Sequence, residues 1–161
     1  MMRWLAQLFG RGEPVLTAAP QRAAAQLAAL HAASFNRGWS EQEFEQLLAD
    51  RSVVADRATI GRKTVGFIVS RIAADEAEIL SIAVTRACRG RRIGAKLLTL
   101  NLRRLAGRGV RSVFLEVDED NSSARRLYAR AGFREVGRRE GYYGSASGAK
   151  AAALVLRRDL R

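Results

Sequence analysis

The chain has 161 residues, of which 48% are hydrophobic and 27% are charged. This length and this balance are typical of one globular domain and argue against a wholly disordered chain. The single cysteine cannot form an internal disulfide, and the longest apolar run, residues 151–156, is far shorter than the roughly 20 residues of a membrane-spanning helix. Because the first residues are also too interrupted for a secretory signal, we expect a cytoplasmic protein with no membrane span.

The beginning of the chain predicts a short tail followed by helices. Residues 1–12 are expected to be a loose basic and amphipathic tail, and residues 13–161 a single domain. Residues 19–34, rich in alanine and leucine, predict a helix because Pro20 suits a first helical turn. Ser40, followed closely by acidic residues, predicts the N-cap of a second helix that continues to about Ala49.

Three strand-like runs follow these helices. They are residues 52–58, 64–72 and 77–84. The joints between them, Gly61–Arg62 and Asp75–Glu76, are turn-like, so we expect a meander of antiparallel strands.

The second half of the chain alternates between helical and strand patterns. We predict helices over 92–106, ended by Gly107, and from a cap at Ser122 or Ser123 to Gly132. The predicted strands are 112–117, 133–139 and 149–158. A strand–helix–strand–helix–strand series after an antiparallel meander indicates a mixed α/β sheet.

The positive charge is concentrated in one stretch. Residues 1–85 hold nine basic and nine acidic side chains, whereas residues 86–139 hold 15 basic and five acidic ones. Such a stretch favours an anionic partner: a phosphorylated cofactor, a nucleic acid or the ribosome surface. A solvated arginine-rich surface is the alternative, because 25 of the 28 basic residues are arginine.

The most informative segment, residues 82–98, reads I-A-V-T-R-A-C-R-G-R-R-I-G-A-K-L-L. It is an apolar strand, a basic loop with glycines and the start of an amphipathic helix. Backbone amides at a helix N-terminus beside arginines can bind a diphosphate, but for glycines near a helix start taken alone a structural turn is the favoured interpretation. The spacing matches neither a Walker loop nor a dinucleotide-binding fingerprint.

This segment resembles the acetyl-CoA loop of the GNAT N-acetyltransferase superfamily, Arg/Gln-x-x-Gly-x-Gly/Ala. Arg89 takes its first position and Gly94 its last, while Arg92 stands where the family has glycine. An arginine with positive φ is uncommon, so we expect Arg92 to be helical and still to offer its N–H.

Residues 115–133 resemble the family block L-E-V-x-x-x-N-x-x-A-x-x-L-Y-x-x-x-G-F. Trp39-Ser40 and the aromatic pair within 141–144 fit the same relatives. The resemblance spans residues 26–160 and is greatest to bacterial RimI-type ribosomal-protein-alanine N-acetyltransferases. It implies the GNAT fold, with largely antiparallel N-terminal strands and a βαβαβ half around a CoA-binding crevice.

The resemblance also implies the cofactor and its site. Acetyl-CoA is the cosubstrate, and no metal is expected. Its pantetheine arm pairs with the strand that ends at Val84, its diphosphate lies on the loop amides, and Asn121 contacts it near a helix start. The implied cofactor-binding residues are Ile82, Ala83, Val84, Arg89, Gly90, Arg91, Arg92, Ile93, Gly94, Ala95, Asn121 and Tyr128.

The same resemblance implies Glu116 as catalytic base and Tyr128 as catalytic acid. From the residues alone, the favoured interpretation is that Glu116 is a solvated carboxylate at a strand end and Tyr128 a core tyrosine, and it is the motif match that favours the catalytic roles. On the strand, Phe114 and Glu116 share one face, opposite the face of the alternating apolar residues. Cys88 is interpreted as a free structural thiol rather than a nucleophile, because no activating histidine is evident.

Three functions remain open at this point. The first is acetylation of a peptide N-terminus, with a ribosomal protein as the acceptor and contact with the ribosome as an option. The second is acetylation of lysine, a polyamine or another small amine. The third is a basic RNA- or ribosome-binding module, for which the sequence has no RNA-binding fingerprint.

We expect the acidic run Glu116, Asp118, Glu119 and Asp120 to border the acceptor groove. The oligomeric state is not predicted.

Overall fold

A computed structural model describes residues 12–144 and 150–160. The predicted tail therefore lies outside the described residues except for Gly12, as does Ala149 at the predicted start of the last strand. None of the helices in the described ranges is long and apolar enough to cross a membrane.

The described strands form one seven-stranded sheet in the order β1-β2-β3-β4-β5-β7-β6. Their bounds are β1 Val15–Ala18, β2 Val53–Ile60, β3 Lys63–Ala73, β4 Glu76–Val84, β5 Ser112–Asp118, β6 Arg134–Gly144 and β7 Lys150–Asp159. Neighbouring strands are antiparallel except β4 and β5, which are parallel. The predicted mixed sheet is confirmed, and β7 lies between β5 and β6.

Helices cover both faces of this sheet. Within the described ranges they are α1 Ala24–Ser34, α2 Glu41–Ala49, α3 Ile93–Gly107 and α4 Ser122–Arg130. Helices α1 and α2 pack on one face over a core that includes Phe44 and Phe67. Helices α3 and α4 pack on the other over a larger core that includes Leu97 and Tyr128. The direction of a strand residue therefore decides which of the two layers it meets.

Side-chain caps fix the starts of α2 and α4. The Ser40 hydroxyl accepts from the Glu43 N–H at 3.1 Å, and the Glu43 carboxylate accepts from the Ser40 N–H at 2.7 Å, so the predicted cap is confirmed as a full capping box. The predicted cap of α4 was wrong by one residue. Asn121, rather than Ser122 or Ser123, accepts from the Ala124 N–H at 3.1 Å.

Three features of the N-terminal half differ from the prediction. The sequence pattern did not predict β1, which adds to the edge of β2. Pro20 is extended, with a φ of −77° and a ψ of 160°, so the first helix begins as a short 3-10 turn and becomes α-helical at Ala24. The turn at Gly61 is as predicted, but the second joint lies one residue earlier, at Ala74, whose φ is 56°.

A buried polar cluster holds α3 against β2. The Asp56 carboxylate is fully buried and accepts from the Asn101 amide at 2.9 Å. Arg104, one helical turn after Asn101, forms an ion pair with the same carboxylate. Burial raises the pKa of Asp56, while the hydrogen bond and the guanidinium oppose that change. Because both partners lie on α3, the cluster fixes where this helix lies on the sheet.

Candidate active site

An opening between β4 and β5 divides the sheet near its centre. The parallel pairing joins Glu76 to Ser112 and ends at Glu78 and Phe114. Both strands continue beyond that point, β4 to Val84 and β5 to Asp118, without pairing to each other. The backbone groups of 79–84 that face β5 are therefore left to pair with something other than this strand. The predicted pantetheine-binding residues Ile82, Ala83 and Val84 all lie on this edge.

A β-bulge in β4 lies beside the opening. Val69 pairs with Ser81 and Ser70 pairs with Ile79, so Leu80 is an extra residue without a partner on β3. The bulge changes which side of the sheet each following residue faces. Ile79 contributes to the core under α3, and after the bulge Ile82 packs against that same core.

The N-terminus of α3 offers main-chain donors close to the end of β4. The first intrahelical bond runs from the Lys96 N–H to the Arg92 carbonyl, at 3.0 Å. The amides of Ile93, Gly94 and Ala95 come before it, and the Arg92 side chain does not cap them. Helices α2 and α4 are capped by side chains, whereas α3, like α1, has no side-chain cap. At α3 this leaves donors and a positive helix end available to an anion.

The two glycines of this loop leave room beside those donors. Gly90 has a φ of 82°, and a Cβ placed there would meet no atom within 4 Å. At Gly94 the nearest atoms to such a Cβ would be side-chain carbons of Leu127 and Val84, both at 3.8 Å. Gly90 thus faces open space, whereas a Cβ at Gly94 would lie in ordinary van der Waals contact with its neighbours.

The conformation of Arg92 differs from the prediction. Its φ is 63° and its ψ is 18°, so it is left-handed and precedes the helix rather than forming its first turn. Arg92 therefore adopts the conformation that glycine adopts most easily, at the position where the family motif has glycine. The backbone shape that the motif needs is retained, at the expense of steric strain.

The arginines of the loop are not equivalent. Arg91 is half-buried and donates from Nη2 to the Gly12 carbonyl at 2.8 Å, which joins the loop to the chain segment before β1. The exposed Arg89 makes a long contact from Nε to the Val84 carbonyl, at 3.4 Å. Arg86 and Arg92 are exposed as well. Positive charge thus surrounds the uncapped end of α3.

Glu116 lies on β5 beyond the last residue that pairs with β4. Val113, Leu115 and Val117 point into the core under α3 and α4, as the alternation predicted, so Glu116 faces the other way. Its side chain is 24% exposed, and its Oε1 is 3.2 Å from Nη1 of Arg139 on β6. A carboxylate at this position is reachable from the α1–α2 side of the sheet.

Tyr128 lies on the opposite face. It is 5% exposed and packs edge-to-face with Phe133, with the ring centres 5.7 Å apart. Burial raises the pKa of Tyr128 to about 12, so the phenol, which is protonated at neutral pH even with its ordinary pKa of 10, becomes a weaker acid. Glu116 and Tyr128 therefore lie on opposite faces of the sheet.

The predicted acidic run carries less free charge than its sequence suggests. Arg139 pairs with Glu116, and Arg138 pairs with Glu119 at 2.7 Å. The Glu119 carboxylate also accepts from the Ala152 N–H at 3.1 Å, and this bond, with Arg138 adding to it, lowers the pKa of Glu119. Arginines of β6 thus compensate part of the negative rim.

The segment between α1 and α2 is held by His31, to which the sequence interpretation gave no role. His31 is 4% exposed, and its Nδ1 accepts from the Trp39 N–H at 3.1 Å. The two rings are stacked, with centres 4.5 Å apart and 18° between their planes. Phe44 and Phe67 lie close to the imidazole as well. The sequence alone does not predict this contact, because His31 and Trp39 meet only when the chain leaves α1 and folds back.

Two other predictions concern reactive groups. Cys88 is a free, buried cysteine, in agreement with its interpretation as a structural thiol. Among the described residues no group of three or more histidine, cysteine, aspartate or glutamate side chains is placed to hold a metal ion.

An opening between two parallel strands, followed by a helix with uncapped amides, is the arrangement that the resemblance implied. Comparison with known families matches residues 24–133 to the acetyltransferase (GNAT) family. The chain belongs to this family.

The relatives that it matches include bacterial enzymes of one named type. The chain is 38% identical over 92 residues to the ribosomal protein bS18-alanine N-acetyltransferase of Haemophilus influenzae, over 57% of this chain and 62% of that one. It is 31% identical over 117 residues to the Escherichia coli protein of the same name, over 73% of this chain and 78% of that one. The alignment thus spans about six tenths of the Haemophilus relative.

A solved structure has the same fold. The crystal structure of the ribosomal-protein-S18-alanine N-acetyltransferase from Escherichia coli superposes with a TM-score of 0.84 over 91% of this chain and 94% of that one, at 24% identity. The predicted GNAT fold is therefore confirmed.

Proposed function

We propose that this protein is an acetyl-CoA-dependent N-acetyltransferase and that its acceptor is the N-terminal α-amine of a protein, ribosomal protein bS18 in the first instance. The observation that carries the proposal is the end of the β4–β5 pairing at Glu78 and Phe114, beside the uncapped N-terminus of α3. The names of the bacterial relatives support the choice of acceptor.

The cofactor fits the groups that the loop and strand present. Amides of Ile93, Gly94 and Ala95 would hold the diphosphate, with the exposed Arg89 and Arg92 adding positive charge. The unpaired edge of β4 at Ile82 and Val84 would pair with the amide groups of the pantetheine arm, as a strand does. Asn121 is already used as the cap of α4 through its carbonyl oxygen, which leaves its NH₂ group for a cofactor contact.

Glu116 and Tyr128 supply the proton transfers that this reaction needs. When bound, acetyl-CoA supplies a thioester, and transfer forms a carbon–nitrogen bond as the carbon–sulfur bond breaks. Glu116 accepts the proton that the attacking amine loses, directly or through one water. Tyr128, whose phenol is protonated at neutral pH, donates a proton to the departing sulfur. The positions on opposite faces suit an amine that arrives from one side and a thiolate that leaves on the other.

The acid–base chemistry favours an α-amine over a lysine. An α-amine with a pKa near 7.7–8.0 costs about 1 kcal/mol to deprotonate at pH 7, whereas a lysine with a pKa near 10.4 costs about 4.6 kcal/mol. A single, partly buried carboxylate suits the smaller of the two tasks.

The surroundings of the reaction follow from the same proposal. We place the protein in the cytoplasm, where its acceptor and acetyl-CoA are made, and treat residues 13–161 as one catalytic domain. Contact with the ribosome would use the basic residues of 86–139.

Two measurements test this function. Acetyl-CoA should raise the melting temperature, since a ligand that binds only the folded state stabilises it. Acetyl transfer should then be measured over peptides with a free N-terminal alanine, among them the N-terminal sequence of bS18, with blocked peptides, lysine and polyamines as controls. Transfer to small amines without transfer to free peptide N-termini would assign the enzyme to the small-amine class. No melting shift and no transfer would refute the proposal.

A further inference from the structure

We propose that Ser81 is a second acceptor-side contact of the active site, and that its hydroxyl hydrogen-bonds to the acceptor nitrogen opposite Glu116. This inference rests on the proposed function and adds a residue that the family motifs do not include.

The strand register places Ser81 level with Glu116 across the opening. On β4, the residue pairs Arg71–Glu78, Ser70–Ile79 and Val69–Ser81 are successive steps of the ladder with β3. Ser81 is therefore two steps past Glu78, because Leu80 is the bulged residue. On β5, Glu116 is two residues past Phe114, the partner of Glu78. The bulge thus brings the two side chains to the same height on the two strands that border the opening.

Both side chains also project from the same face of the sheet. Ile82 and Val84 pack against the core under α3, which turns Ser81 and Ala83 toward the other face. Ala83 accordingly belongs to the core under α1 and α2. Glu116 faces that same side, because its neighbours Leu115 and Val117 point to α3 and α4. Ser81 and Glu116 therefore line one side of the opening, the side away from the cofactor loop.

The Ser81 hydroxyl makes no hydrogen bond within the described part of the protein. The residue is 8% exposed, its Oγ is buried, and no hydrogen-bond partner for that atom exists among the described residues. A buried hydroxyl without a partner lowers the stability of the folded protein. Ser70, a buried serine on the neighbouring strand, shows the contrast, because its hydroxyl lies 2.5 Å from Oδ1 of Asn101.

An acceptor amine is the partner that this position fits. A hydroxyl can accept a hydrogen bond from the amine N–H while Glu116 accepts another, and the two together orient the nitrogen lone pair toward the thioester. Because Oγ is covered in the free protein, the contact forms only as side chains along the opening part for the acceptor. Ser81 should then affect acceptor turnover and leave cofactor binding unchanged.

The experiment compares Ser81→Ala and Ser81→Cys with Ser70→Ala as the matched control. Ser81→Ala should lower kcat/KM for the acceptor peptide about tenfold, the effect of one lost hydrogen bond, and Ser81→Cys should lower it to a similar extent. The melting shift caused by acetyl-CoA should stay as in the wild type. The melting temperature of Ser81→Ala should equal or exceed that of the wild type, whereas Ser70→Ala should melt lower and keep its peptide turnover.

The outcomes separate this inference from the proposed function. Wild-type turnover of peptide with the same turnover by Ser81→Ala would refute the Ser81 contact alone. A melting temperature of Ser81→Ala lowered as much as that of Ser70→Ala would also refute it, since the hydroxyl would then have a structural partner. Absence of wild-type transfer to every acceptor would refute the proposed function and the contact together.

Discussion

The two sides of the opening are built in different ways. On the side proposed for the cofactor, the available groups are main-chain amides at the start of α3, and they are placed by a left-handed residue, two glycines and an uncapped helix end. On the side proposed for the acceptor, the groups are side chains: Glu116 with its arginine, and the segment after α1 held by His31.

This difference determines how each side tolerates change. A main-chain site depends on backbone conformation, so a side chain can be replaced if φ and ψ are kept, as Arg92 illustrates. A side-chain site depends on contacts between segments far apart in the chain. Single substitutions should therefore affect the acceptor side more than the cofactor side, and the following predictions test that contrast.

The largest effect is expected for Glu116→Gln. Removing the proton acceptor should lower kcat for peptide acetylation by about 10²- to 10⁴-fold, while the melting shift caused by acetyl-CoA is unchanged because the loop amides are untouched. Steady-state kinetics and a melting curve measure the two sides separately. Glu135→Gln, at an exposed carboxylate on β6, is the control and should behave as the wild type. A loss below tenfold would mean that another group takes the proton.

The fold shows a similar contrast, because elements with a local apolar pattern could be predicted from the sequence and elements set by long-range pairing could not. Periodicity predicted α3 and β5 within one or two residues, because their apolar faces meet a single core. It did not predict β1, whose four residues gain their structure from pairing with β2. The place of β7 between β5 and β6 was also not predictable from local pattern, since it depends on long-range pairing.

The candidate site divides in the same way. The loop motif located the amides of 93–95, and the strand alternation gave the direction of Glu116. Ser81 could not be singled out, because the bulge at Leu80 reverses the alternation along β4 and is visible only in the pairing with β3. The hydrogen bond of His31 to Trp39 likewise depends on how the chain turns after α1. Arg92 was expected to be helical and is not, because the turn before α3 needs a left-handed residue.

A smaller effect is expected at Arg92, and it tests the cofactor side. Glycine should relieve the strain of the left-handed conformation. Arg92→Gly should therefore raise the free energy of unfolding by about 1 kcal/mol and the melting temperature by about 2–4 °C. Arg92→Ala, which removes the guanidinium but keeps the Cβ, should show no such gain. Both variants should bind acetyl-CoA within about threefold of the wild type, measured by calorimetry, because the amide is the binding group. Tenfold weaker binding by both would mean that the guanidinium itself holds the phosphate.

The smallest effect is expected from the pH dependence of the acceptor side. Burial lowers the pKa of His31 from its usual 6.5, and the nearby Glu43 opposes this only in part. As the pH falls below 6.5, the unfolded chain takes up a proton before the folded protein does, so the folded state loses stability; above 6.5 both are neutral and His31 contributes no pH dependence. Protonation would also turn Nδ1 from an acceptor into a donor facing the Trp39 N–H, which loosens the segment between α1 and α2.

His31 is the single histidine of the chain, so its titration can be followed directly by proton NMR in protein without a histidine tag. His31→Gln keeps an acceptor for Trp39 and removes the titration, so its melting temperature should fall less than that of the wild type between pH 7 and pH 5. Trp39 fluorescence in a Trp4→Phe background should change with pH in the wild type and stay constant in His31→Gln. If the melting temperatures of the two proteins fell equally between pH 7 and pH 5, the pH dependence of stability would not come from His31.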